Sequence, residues 1–88
     1  MKLFPLVIAT PDGNVFSGEI YKLSVRGTEG ELAVMAGHIP FVTTVKEGVI
    51  RLDFGDREKK ASVSSGILNV SPTETTLLAG YVTFLDES

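Results

Sequence analysis

The sequence has no cysteine, no tryptophan and a single histidine, His38. Without cysteine there is no disulfide framework, no thiolate nucleophile and no cysteine metal site. A chain of 88 residues must then be held together by packing or by a partner. One imidazole leaves nucleophilic catalysis a single candidate base, and no Gly-x-Ser-x-Gly motif accompanies it. The phosphate-cradling pattern Gly-x-x-x-x-Gly-Lys followed by serine or threonine is missing too, because neither Gly27 with Gly30 nor Gly30 with Gly37 supplies it. The carboxylates are scattered without a recurring ligand spacing. Asp12, Gly13 and Asn14 are a fragment of a calcium-loop pattern that lacks its later glutamate and read as a turn. These absences argue against an enzyme, a metal site and a bound cofactor.

Long hydrophobic runs are missing as well. Residues 3–9 are apolar but include Pro5, whereas a membrane-spanning helix needs about 20 apolar residues. That stretch runs into Thr10, Pro11, Asp12 and Gly13 instead of a small-residue cleavage site, so it reads as a first strand and not as a signal peptide. The net charge is -3, and of the eight basic residues only Lys59 and Lys60 are adjacent. A phosphate-tracking surface gathers its cations, so nucleic acid is not an expected partner. Asn69, Val70 and Ser71 match a glycosylation triplet that has meaning only in a secreted chain. Phe16, Phe41, Phe54 and Phe84 fall within strand patterns, where they read as core side chains and not as sugar-stacking platforms.

What is present is the balance of a globular protein, 43% hydrophobic and 22% charged, in a length suited to one domain over residues 1–88. Glycine, proline, asparagine and aspartate punctuate the chain too closely for ordinary helices. Between them the residues alternate. Tyr21, Leu23 and Val25 are set against Lys22, Ser24 and Arg26, and Ile50, Leu52 and Phe54 against Val49, Arg51 and Asp53. Period-two alternation means strands with one buried face. Gly55 and Asp56, glycine first, predict a two-residue type II′ hairpin. Residues 75–85 are consistent with a central strand or with two strands interrupted at Gly80. The whole is an all-β chain, a sandwich or a barrel.

Residues 27–40 remain unusual. On residue chemistry they form a glycine-bounded hairpin around a short strand, with Leu32 and Val34 inward, Glu31 and Ala33 outward, Gly37 in a turn and Pro40 ending the ladder. Glu29 and Glu31, two apart in an extended chain, would project to one side, and His38 follows Met35 just beyond the strand. Carboxylates, a histidine and a soft apolar residue at one end of a rigid sandwich would suit a docking tip.

The order of these residues resembles the ATP synthase ε subunit, with its Gly-Glu-Leu-Gly run followed closely by Pro-Gly-His-x-Pro. Here Ala33 and Ala36 stand where that family usually has glycine and proline. The resemblance extends through Thr10, Pro11, Asp12 and Gly13, then Val15 to Gly18, Gly48, Gly66 to Val70, and Leu77 to Ala79. It implies a two-sheet β-sandwich of about ten short, mostly antiparallel strands in the central stalk of a peripheral membrane complex on the cytoplasmic face, or the equivalent face of an organelle membrane. Such a domain would hold the γ subunit and rest on the loops of the c-ring, coupling ion-driven rotation to ATP synthesis without entering the membrane or carrying a catalytic group.

Matched by position, Glu29, Gly30, Glu31, Gly37 and His38 are the expected c-ring contacts, and Met35, Ile39 and Phe41 the expected γ contacts. Family members commonly continue into a two-helix C-terminal region, whereas this sequence ends at Asp86, Glu87 and Ser88, so the inhibition and nucleotide binding of that region transfer to no residue present. Two rival readings stay open at this stage: a generic ligand-binding or adhesion sandwich, and an enzyme with an unrecognised site.

Overall fold

The computed structural model describes residues 2–85. Met1, Asp86, Glu87 and Ser88, which belong to the expected domain of residues 1–88, lie outside the described residues. The described chain folds as ten strands: β1 (Phe4–Thr10), β2 (Gly13–Ile20), β3 (Lys22–Gly27), β4 (Gly30–Met35), β5 (Phe41–Val45), β6 (Gly48–Asp53), β7 (Glu58–Val63), β8 (Gly66–Val70), β9 (Thr75–Ala79) and β10 (Val82–Leu85). They form two five-stranded sheets, ordered β2-β1-β9-β8-β5 and β10-β7-β6-β3-β4. This is the two-sheet sandwich that the resemblance implied. Every pairing is antiparallel except β1 with β9.

Alternation puts one side chain in two into the space between the sheets. Leu6 and Ile8, Leu23 and Val25, Ile50 and Leu52, Ala61 and Val63, Leu68 and Val70, and Leu77 and Ala79 are buried there. Full burial of such a Val, Leu or Ile side chain is worth about 1.5–3 kcal/mol, which makes this layer the main source of cohesion in a chain without cross-links. Phe16, Phe41, Phe54 and Phe84 pack against the rim of the core, as expected. Phe16 and Phe54 meet edge to face with ring centroids 6.0 Å apart, and Arg57 covers Phe54 at 4.7 Å.

The pairs β1–β2, β3–β4, β6–β7 and β8–β9 are hairpins within a sheet, and each remaining connection crosses from one sheet to the other. At Gly55 and Asp56 the expected tight turn forms: Phe54 N donates to Arg57 O at 2.9 Å. Gly55 has φ of +100° while Asp56 stays at negative φ, the sign pattern of a type II′ turn, which a side chain at the first position would oppose. Residues 75–85 divide at Gly80, and the two halves belong to different sheets. Ser64 anchors that crossing, its Oγ accepting from Gly80 N at 2.7 Å and from Tyr81 N at 3.1 Å.

Because successive strands reverse direction, the turns collect at two opposite ends. One end carries the turns at Pro11 and Asp12, Thr28 and Glu29, Lys46 and Glu47, Ser64 and Ser65, and Gly80 and Tyr81. The other carries Tyr21 and residues 36–40, 54–57 and 71–74.

Candidate functional site

Strand β4 runs between the two ends and divides the expected contact residues. Thr28 and Glu29 form the turn that joins β3 to β4, closed by the Gly27–Gly30 pair, and Glu31 is the first outward side chain of β4. Glu29 therefore belongs to the turn, so its alternation with Glu31 along one strand does not hold. Gly37 and His38 follow Met35 at the far end of the same strand. The five steps from Gly30 to Met35 span about 16–17 Å, so Glu29, Gly30 and Glu31 do not share one tip with Gly37 and His38. Residues that read as a single cluster along the chain form two clusters, at opposite ends of the molecule.

At the first end the carboxylate of Glu31 is already engaged: Arg51 Nη1 donates to its Oε2 at 2.9 Å. Both side chains are exposed. Glu47 at the same end accepts from the Tyr81 hydroxyl at 3.0 Å. That hydrogen bond, reinforced by the carboxylate's charge, raises the Tyr81 phenol above its ordinary value.

At the second end Met35, Ala36, Gly37 and His38 make a turn in which His38 N donates to Met35 O at 3.2 Å. Gly37 has φ of +85°, a conformation that L side chains rarely adopt. Ala36 takes the second turn position without a positive φ, so the turn closes without the proline usual there. His38 Nδ1 lies 2.9 Å from Ile39 O, and its ring packs on Phe41 at 4.9 Å. A carbonyl can only accept, so this contact calls for a proton on Nδ1. Met35 is 46% exposed and Ile39 77%, whereas Phe41 is half-buried against the core. A groove of about 400 Å³ opens here, with Lys2, Leu3, Met35, His38, Ser71 and Glu74 on its wall.

The two outer faces of the sandwich differ in chemistry. On the second sheet the outward positions include Lys22, Arg26, Glu31, Arg51, Asp53 and Lys60, the usual pattern of a solvated face. On the first sheet they include Val7, Ala9, Val42, Ile67, Thr76 and Leu78. Ile67 pairs directly with Leu78, and Leu78 with Ala9, so the apolar side chains are contiguous. Val42, Ile67 and Leu78 are between 47% and 67% exposed. Sequence reasoning overlooked this face. Its signal is confined to single positions, Val7 and Ala9 of β1, Ile67 of β8 and Leu78 of β9, while Asn69 and Thr76 on the same face are polar. Among the described residues no group of three or more His, Cys, Asp or Glu could hold a metal ion. No helix there is long and apolar enough to cross a membrane.

The molecule is thus an all-β sandwich whose two outer sheet faces and two loop ends differ in chemistry. Comparison with known proteins names its family. Residues 3–84 match the family model described as ATP synthase, Delta/Epsilon chain, beta-sandwich domain, and the chain belongs to that family. It is 40% identical over 79 residues to the ATP synthase epsilon chain of Bacillus cytotoxicus, covering 90% of this chain and 59% of that protein. Against the ATP synthase epsilon chain of Bacillus pumilus the identity is 39%, covering 90% and 60%. The chain thus spans about three-fifths of the length of these relatives.

Among solved structures, a chain of the Euglena gracilis mitochondrial ATP synthase OSCP/F1/c-ring assembly superposes with a TM-score of 0.87 at 18% identity, over 93% of this chain and 53% of that one. A chain of the Tetrahymena thermophila mitochondrial ATP synthase central stalk and c-ring superposes at 0.78 with 9% identity, over 92% and 66%. At these identities the superpositions establish the fold.

Proposed function

We propose that the chain is the sandwich of a central-stalk subunit of an ATP synthase, passing c-ring rotation to the γ subunit with no chemistry of its own, in a peripheral complex on the cytoplasmic face of the membrane. The observation that carries this reading is the contiguous apolar face of the first sheet. A sheet face built from Ala9, Ile67 and Leu78 is unfavourable in water, and patches of this kind mark protein contacts. That face is assigned to γ, with Met35 and Ile39 as further apolar contacts at the second end. The turn at Thr28 and Glu29, with Gly30 and Glu31, is assigned to the c-ring loops. Gly37 and His38, expected there from the sequence, lie at the opposite end and are assigned to the γ side.

Torque transmission asks for interfaces that do not slip, and close packing between two rigid sheets meets that demand better than any mobile loop. The test is co-purification of the complete subunit with γ. The double variant Ile67→Glu, Leu78→Lys should lose γ while keeping its strand circular dichroism and a cooperative unfolding transition, because both positions face out and the introduced charges attract across the β8–β9 pair. Retention of γ at the wild-type level by the folded double variant would overturn the assignment. Binding to a glycan or other small ligand through this face, with no affinity for γ, would favour an adhesion module.

A further inference from the structure

Glu31 and Arg51 are 20 residues apart and sit on strands that do not pair, β4 and β6, with β3 between them. Ser24 of β3 pairs with Ala33 on one side and with Arg51 on the other. These two short side chains leave a lane across the outer face of the sheet, and the Arg51 side chain spans β3 to place Nη1 2.9 Å from Glu31 Oε2. Arg26 pairs with Glu31 in the adjacent register, and Lys60 pairs with Arg51. The Arg26 side chain runs instead towards Gly48 of β6, so Arg51 is the cation at the carboxylate. Among the described residues its other oxygen, Oε1, accepts no protein hydrogen bond.

We propose that Arg51 is a positioning residue for docking on the c-ring side: it pins the Glu31 carboxylate through Oε2 and leaves Oε1 as the acceptor offered to the partner. This rests on the assignment of Glu31 to the ring. The Arg51 guanidinium determines the chemistry of the group received. A Lys or Arg of the partner at Oε1 would meet Arg51 at close range, whereas an uncharged N–H or O–H donor meets no such repulsion. The pair adds little stability, since both side chains are largely in water. Its value lies in removing rotamer freedom from Glu31 before docking.

The test is the affinity of the complete subunit, in complex with γ, for detergent-solubilised c-ring. The variants are Glu31→Gln, Arg51→Gln, Arg51→Lys and the double Glu31→Gln, Arg51→Gln. Arg51→Gln should weaken binding about two- to five-fold, the range of exposed ion pairs. Arg51→Lys should recover part of that loss, and the double variant should bind no more weakly than Glu31→Gln alone. If Arg51→Gln binds like wild type while Glu31→Gln is weakened, the positioning role is wrong and the ring assignment stands. If the losses add in the double variant, Arg51 meets the partner directly and the proposal falls. If neither single variant weakens binding, the assignment of Glu31 to the ring fails and takes this inference with it.

Discussion

Gly66→Ala is expected to be the most damaging single-methyl change in the first sheet. Gly66 opens β8 and pairs with Ala79 of β9 on one side and with Val45 of β5 on the other. A Cβ built on it would stand 2.0 Å from Leu78 O, 3.0 Å from Leu78 C and 3.1 Å from Ala79 Cα, where ordinary contact begins at 3.4 Å. All three are backbone atoms, so no rotamer change relieves the overlap, and β8 and β9 would have to part by more than an ångström at that point. Overpacking of this kind costs about 1–3 kcal/mol, and a ladder hydrogen bond lost with it about 0.5–1.5 kcal/mol. The expected total is about 2–4 kcal/mol, or a fall in melting temperature of about 10–25 °C for a domain of this size.

Gly18→Ala is the control. Its Cβ would meet only the Phe16 side chain, at 3.3 Å from Cζ, and the partly buried ring can give by the tenths of an ångström required. Urea and thermal unfolding followed by circular dichroism measure both variants. A loss below about 0.5 kcal/mol for Gly66→Ala, or an equal loss in both, would refute the steric argument.

Other changes have smaller expected effects. Ser64→Ala removes the acceptor shared by Gly80 N and Tyr81 N and should cost about 1–2 kcal/mol in chemical denaturation, while the neighbouring Ser65→Ala should stay within about 0.5 kcal/mol. In a Tyr21→Phe background only Tyr81 titrates as a phenol, and its absorbance midpoint should lie above the ordinary tyrosine value of 10.0 and return towards it in Glu47→Gln. Since the fold favours the neutral phenol, this contact contributes fully below the ordinary value and is lost as pH rises through the raised one. Glu31→Lys should leave the melting temperature nearly unchanged, since it alters an exposed pair, and should weaken c-ring binding if the proposed assignment of Glu31 holds.

Local chemistry alone determined the strands of this protein, because the pleat has a period of two and burial follows it. The alternation at residues 21–26 and 50–54 and the glycine-first turn at Gly55 are visible without any knowledge of partners. The family could be read from the ordered series of glycines, carboxylates and His38 for a related reason, since turn residues keep their spacing when the turns they form are retained.

Only the tertiary structure decided which strands are neighbours. Nothing local makes β9 central in one sheet and β10 an edge of the other, or lays β1 parallel to β9, because those pairings join segments far apart along the chain. The same limit merged residues that the fold separates. Glu31 and His38 are close in number, but an extended strand carries the chain across the molecule, whereas Arg51, distant in number, is brought to Glu31 across β3. The apolar face of the first sheet likewise exists only once β5, β8, β9 and β1 lie side by side, since each strand alone contributes too few outward apolar residues to be recognised.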